Sequence, residues 1–146
     1  MLDDSTLYAT FSRLVRVQTA LWNTVDARLR EQHGFPLTHV TALQVVATTP
    51  DCRVHELVSI LHITVGGASK VVDRLVAAGH VVREANPNDR RSSILRVTDA
   101  GSMLLASVAP DVELVLGERF AGPLASGDLA ELDRLLGFLQ VEESAR

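Results

Sequence analysis

At 146 residues, 47% of them hydrophobic, the chain can bury one continuous core and is too short for two independent domains. A net charge of −4 argues against a uniformly basic surface, and the single cysteine, Cys52, excludes an internal disulfide and a cysteine-based zinc cluster. The longest uncharged stretch, 34–50, is broken by Pro36, His39 and Gln44, and Asp3 and Asp4 stand where a secretion signal needs basic residues, so a cytoplasmic protein without a membrane span is expected.

From Asp3 to about Gln32 there is neither proline nor glycine, and Leu7, Phe11, Leu14, Val15, Leu21, Trp22, Val25 and Leu29 recur at helical spacing. This predicts an amphipathic helix longer than so small a domain needs, part of whose apolar stripe faces another chain. Gly34-Phe35-Pro36 stops it. Thr38 is the expected N-cap of a second helix, with Val40, Leu43, Val46 and Ala47 as its stripe and Pro50 as its stop. Val54, Leu57, Val58 and Leu61 give a short third helix. After a break at His62-Ile63, Thr64 caps a fourth, in which Ala68, Val71, Val72 and Leu75 form the buried face and Gly79 ends the run. The third and fourth helices read as a helix-turn-helix.

Beyond Gly79 the period falls to 2. Val81–Ala85 and Ser92–Val97 read as strands, with Leu95 and Val97 on one face and Ile94 and Arg96 on the other. Asn86-Pro87-Asn88-Asp89 supplies the turn between them. Helical periodicity resumes after Thr98 with Leu104, Leu105, Val108, Val112, Val115 and Leu116, and Pro110 predicts a kink or break within it. Gly122-Pro123 separates a last helix, capped by Ser126, with Leu129, Leu132, Leu135, Leu136 and Leu139 as its stripe. The fold class is mainly α with a small β-hairpin, a winged helix-turn-helix flanked by long helices.

The charge is unevenly placed. Between Thr64 and Thr98, Lys70, Arg74, Arg83, Arg90, Arg91 and Arg96 face three acids, a local +3 within an otherwise acidic chain. A B-DNA major groove admits one α-helix, whose outward side chains reach base edges. Away from its apolar stripe the fourth helix carries Gly66, Gly67, Ser69, Lys70, Asp73 and Arg74. At the hairpin tip Arg90 and Arg91 suit the negative potential of a minor groove, where Asp89 can hold an arginine in place.

Thr64 to Gly79, then Asn86-Pro87-Asn88-Asp89-Arg90-Arg91-Ser92, then Leu95-Arg96-Val97-Thr98-Asp99-Ala100-Gly101 resemble the recognition helix, wing and following helix start of MarR-family regulators. The Asp-Arg-Arg wing with the later Leu-x-Val-Thr-x-x-Gly phrase is the specific part, and the likeness covers nearly the whole chain. It implies a single MarR-type domain, with 1–35 and 99–146 as dimerisation helices and 36–98 as the winged helix-turn-helix lobe. It further implies a homodimeric, ligand-responsive repressor that binds palindromic double-stranded DNA and needs no cofactor. Thr64, Gly66, Gly67, Ser69, Lys70, Arg74, Asp89, Arg90 and Arg91 are then the DNA-contacting residues. A small aromatic or anionic effector would sit between the dimerisation helices and the lobe, met by Arg16, Trp22 and His39. The chain departs from many relatives in carrying Gly66 and Gly67 where they have Ser or Thr.

Other readings compete. An enzyme lacks any P-loop, Gly-x-Ser-x-Gly elbow or His-Glu-x-x-His to start from. A metal-responsive regulator would draw on His33, His39, His55, His62 and His80, none of which forms a close ligand pair. A redox-responsive one would use Cys52, with Arg53 lowering its pKa. A winged-helix protein-interaction module without DNA binding is opposed only by the basic tip and helix face.

Overall fold

The computed structural model describes residues 4–125 and 127–139. In chain order these form α1 (Asp4–His33), α2 (Leu37–Thr48), α3 (Val54–Leu61), α4 (Val65–Ala77), β1 (Val81–Ala85), β2 (Ser93–Val97), α5 (Asp99–Ala121) and α6 (Asp128–Leu139).

The apolar stripe of α1 divides into two parts. Val25 and Leu29, near its end, enter the core, whereas Leu7, Tyr8, Phe11, Leu14 and Val15 stay exposed. Gly34, at φ +75°, takes the left-handed conformation that ends the helix, and its N–H reaches the Arg30 carbonyl at 3.1 Å. Helix α2 begins one residue before the expected cap: Pro36 is its N-cap and Thr38 lies inside it. The cap comes from another helix, because Asp26 of α1 accepts the Leu37 N–H at 2.7 Å. Buried on most of its circumference, α2 contributes His39, Val40, Ala42, Leu43, Val45 and Val46, while Ala47 is exposed.

The helix-turn-helix forms as the sequence predicts. The Arg53 N–H and guanidinium both donate to Glu56 at the start of α3, and His62, at φ 50°, makes the left-handed exit from it. Thr64 then caps α4, its Oγ1 accepting the Gly67 N–H at 3.1 Å. At the far end the His80 N–H reaches the Leu75 carbonyl and the Gly79 N–H that of Val76, with Gly79 at φ +75°. That is a Schellman stop, and only glycine adopts its φ without strain. Ala68, Val72 and Leu75 of α4 are fully buried against the core of α2 and α3.

In the antiparallel hairpin Val81 faces Val97 and Ala85 faces Ser93. Ser92 belongs to the turn rather than the strand, its Oγ accepting from Asn86 Nδ2 at 2.9 Å. Both faces of β2 are covered at its middle, because Ile94 is buried as well as Leu95. The cause is tertiary: the Leu95 N–H donates to the Cys52 carbonyl at 2.7 Å, so the segment before α3 runs along β2, and Ile94 borders a hollow with Pro50, Asp51 and Arg53.

Helix α5 runs unbroken across Pro110. An internal proline costs roughly 3 kcal/mol, but Leu104, Val108 and Val115 bury on both sides of it and Asp111 ties the helix to α1. Asp111 accepts from Arg28 Nη2 at 2.7 Å and from His33 Nε2 at 2.8 Å. These two bonds hold its carboxyl below the usual carboxylate range. By length and composition α5 could cross a membrane, yet it carries this ion pair and packs along α1. The Ser126 cap expected for α6 lies outside the described residues; Asp128 Oδ2 accepts the Ala125 N–H at 2.8 Å there. None of the residues of α6 is buried, and Leu129, Leu135, Leu136, Phe138 and Leu139 are exposed.

Candidate nucleic-acid interface

The outer side of the lobe is built from α4 and the hairpin turn. Because α4 sinks Ala68, Val72 and Leu75, its helical period turns Gly66, Lys70 and Asp73 outward along one line, with Arg74 beside them. Ser69 is half-buried. The turn between the strands is shaped by its own side chains. Asn86, itself buried, accepts the Asn88 N–H at 2.9 Å, and Asp89 Oδ1 accepts the Arg91 N–H at 3.0 Å. Asp89 therefore orders the Arg91 backbone. The expected carboxylate clamp on an arginine side chain is not formed, because Asp89 is spent on the turn.

Ion pairing sorts the six basic residues of this segment. Arg83 pairs with Asp73 at 2.7 Å, and Arg96 bridges Asp51 at 2.8 Å and Glu84 at 3.1 Å. Among the described residues, Lys70, Arg74, Arg90 and Arg91 have no carboxylate within ion-pairing distance, and all four are exposed. The sequence reading already chose these four by their place on the fourth helix and the hairpin tip; the fold adds that Arg83 and Arg96 are neutralised by neighbours.

Arg16, Trp22 and His39 do not share a hollow. Trp22 borders an apolar one of about 490 Å³ between α1, α5 and α6, with Leu21, Phe120 and Leu132. His39 borders another, of about 310 Å³, formed by Arg30, Phe35, Thr38, Val71 and Arg74. Arg16 is exposed on α1 and lines neither. Arg30 and Phe35 were missed by the sequence reading; their position at the end of the first helix and just beyond it, where the chain turns back on itself, was the available signal.

Behind the second hollow, His39 Nε2 and His80 Nδ1 hydrogen-bond at 2.9 Å, and Phe35 stacks on His39 with ring centroids 4.6 Å apart. Burial, then the neighbouring His80 and Arg74, push the His39 pKa down to about 4, and burial lowers that of His80. Both rings are neutral at pH 7, so one nitrogen of the pair carries the proton and the other accepts it.

Cys52 does not have the environment of a reactive thiol. It is fully buried, and burial together with Glu56 raises its pKa to about 11 against a smaller opposing effect of Arg53. The lowering effect of Arg53, whose guanidinium is held by Glu56 at 2.8 Å, is outweighed. No three His, Cys, Asp or Glu side chains gather as a metal site among the described residues.

This architecture has known counterparts. A family model described as MarR family matches residues 33–92. Over 118 residues, 80% of this chain and 73% of the relative, the sequence is 30% identical to the uncharacterized HTH-type transcriptional regulator YkoM of Bacillus subtilis. It is 31% identical to the multiple antibiotic resistance protein MarR of Escherichia coli over 81 residues, 56% of each chain. Among solved structures, the fold is shared with Sco3205, a MarR family transcriptional regulator from Streptomyces coelicolor in complex with DNA. There the TM-score is 0.82 at 24% identity, covering 99% of this chain and 93% of that one.

Proposed function

The chain belongs to the MarR family of transcriptional regulators, and from that premise we propose that it acts as a homodimeric repressor that binds a palindromic DNA site and releases it when a small anionic aromatic effector binds. The observation that carries the DNA reading is that four cations on α4 and the wing, Lys70, Arg74, Arg90 and Arg91, have no carboxylate partner among the described residues. Acids are plentiful in this chain, so cations left without carboxylate partners on one face suit a polyanion. In this reading α4 enters the major groove, led by Gly66, Gly67, Ser69, Lys70 and Arg74 behind the Thr64 cap. The wing carries Arg90 and Arg91, ordered by Asp89, to the adjacent minor groove.

Dimerisation is supported by two apolar faces exposed among the described residues, Leu7 to Val15 on α1 and Leu129 to Leu139 on α6. A patch of that extent on a small soluble protein marks an interface. The palindrome follows from the two-fold axis.

Effector response rests on the hollow at His39. Arg74, which has no carboxylate partner among the described residues, lines it together with the aromatic ring of Phe35, a chemistry that fits a carboxylate on an aromatic body, whereas Arg30 there is already paired with Asp26 at 2.6 Å. Arg74 belongs both to this hollow and to the outer face of α4, so an anion bound there competes with DNA for it. Trp22 belongs instead to the separate apolar hollow between α1, α5 and α6, and Arg16 to neither.

A gel shift with duplex from upstream of the chain's own gene tests the proposal. Retardation of that duplex over a scrambled one, reversed by an aromatic carboxylate, is expected. A protein that retards neither duplex at low salt is no DNA-binding regulator, and the protein-interaction reading takes its place.

A further inference from the structure

We propose that Val65, with Gly66 beside it, reads the C5 methyl group of a thymine in each half of the DNA site. The inference rests on the DNA-binding reading above and names what the start of α4 recognises.

Neither residue is explained by the fold. Val65 is the first residue of α4 and remains 66% exposed, so it adds nothing to the core. As a β-branched residue it is also a weak helix former. The two glycines differ. A Cβ on Gly67 would stand 3.1 Å from Thr64 Oγ1, so the N-cap accounts for that glycine. A Cβ on Gly66 would meet nothing within 4 Å, and its backbone is helical rather than left-handed. Glycine weakens a helix relative to alanine, and here no turn, close contact or positive φ within the chain offsets that loss. The empty space beside Gly66 faces outward.

The geometry gives that space a use. Side chains on a helix tilt toward its N-terminus, so Val65 projects at the leading end of α4, with Ser69 one turn behind it on the same row. Lys70 stands one turn behind Gly66. The missing Cβ therefore leaves a gap between an apolar tip and an unpaired cation. Residues at the start of a recognition helix are those that meet base edges in the major groove. Of the groups displayed there only the thymine methyl is apolar; the rest are donors and acceptors that a valine would leave unsatisfied. A phosphate is an equally poor neighbour for an isopropyl group.

The test begins by selecting bound duplexes from a randomised pool with the full chain, then replaces each thymine of the selected site by deoxyuridine, which removes only the methyl. One thymine per half-site is expected to show a loss of about four-fold on replacement, the worth of burying one methyl-sized group. In Val65→Ser that loss should vanish while thermal stability is unchanged, since the side chain is exposed. Selected sites without a shared thymine, a site indifferent to deoxyuridine, or a deoxyuridine loss that persists in Val65→Ser each overturn the inference and leave the DNA reading standing. Failure of the pool to enrich any sequence overturns both.

Discussion

Gly101 lies so close beneath His80 that a Cβ on it would stand 2.3 Å from the His80 carbonyl oxygen. That oxygen also accepts the Thr98 N–H at 3.0 Å, and the Thr98 hydroxyl donates to the Gly79 carbonyl at 2.6 Å while accepting the Gly101 N–H. The Thr-x-x-Gly phrase thus clamps the start of α5 onto the corner between α4 and β1. Gly101→Ala should push these backbones apart and cost about 1–3 kcal/mol or more, as overpacking does. A fall in thermal midpoint of several degrees is expected. Gly66→Ala, whose Cβ meets open space, should leave the midpoint unchanged or raise it slightly. Equal midpoints for Gly101→Ala and the parent would show that the clamp gives way freely.

The buried pair His39 and His80 makes stability depend on pH. With its folded pKa depressed to about 4, His39 resists the proton that the unfolded chain takes up near pH 6.5. Its neutral form is fully accommodated above pH 6.5, and stability is lost as pH falls from there toward 4. The loss amounts to at most about 3 kcal/mol over that window. In urea titrations at pH 7.5 and 5.0 the parent midpoint should drop, and His39→Gln should flatten the drop. A parent whose midpoint is unchanged at pH 5.0 would refute the assignment.

Cys52 should be chemically silent in the folded protein. A thiol raised from 9.0 to about 11 has about a hundredfold less thiolate near neutral pH, before its lack of exposure is counted. Alkylation at pH 7.5 should therefore be far slower in the native protein than in urea, and hydrogen peroxide should not alter DNA binding. Rapid native labelling, or release of DNA by peroxide, would restore the redox-sensing reading.

How far the sequence could be read depended on how local each cause is. Thr64 and Gly79 were legible because the atoms they satisfy lie within three or four residues, so capping rules suffice. The start of α2 was not, since its cap is Asp26, eleven residues away on another helix. The burial of Ile94, on the face opposite Leu95, was not legible either, since it depends on Cys52 pairing with Leu95 from another segment. Pro110 reads as a break until the bridge from Asp111 to Arg28 and His33 is seen. For the candidate interface, the sequence set Lys70, Arg74, Arg90 and Arg91 apart from Arg83 and Arg96 by position alone, and held no sign of the ion pairs that neutralise the latter two. The pairing of Arg96 with Asp51 spans 45 positions and leaves no local trace.

The exposed apolar faces of α1 and α6 make assembly testable without cutting into the core. Phe11 is 61% exposed and Leu135 47% exposed, so a charge at either costs the folded monomer little. Placed in an apolar interface, an unpaired carboxylate is strongly unfavourable. Phe11→Asp and Leu135→Glu should each shift the protein toward monomer in sedimentation and weaken DNA binding, because one half-site alone must then hold the protein. Truncation of the first thirty residues should do worse, since it also removes Val25 and Leu29 from the core. A parent chain that sediments as a monomer would remove the basis for a palindromic site.

The two elements proposed to meet DNA should fail in different ways, because phosphate contacts set affinity whereas base contacts set preference. Arg91 sits on the wing, where a minor groove distinguishes little beyond A·T from G·C, so Arg91→Ala should weaken operator and scrambled duplexes nearly alike. If a phosphate contact is lost with it, the slope of log affinity against log salt becomes shallower by about 0.9. Lys70 lies on the outward line of α4. Bound to a guanine edge, it contributes discrimination, so Lys70→Ala should cost roughly 1–3 kcal/mol on the operator and much less on scrambled DNA. Arg74→Ala should combine loss of operator affinity with loss of response to an aromatic carboxylate, since Arg74 also borders the hollow at His39. A salt series with the three variants on both duplexes separates these signatures. Three variants that all bind the operator as the parent does would show that DNA meets neither α4 nor the wing.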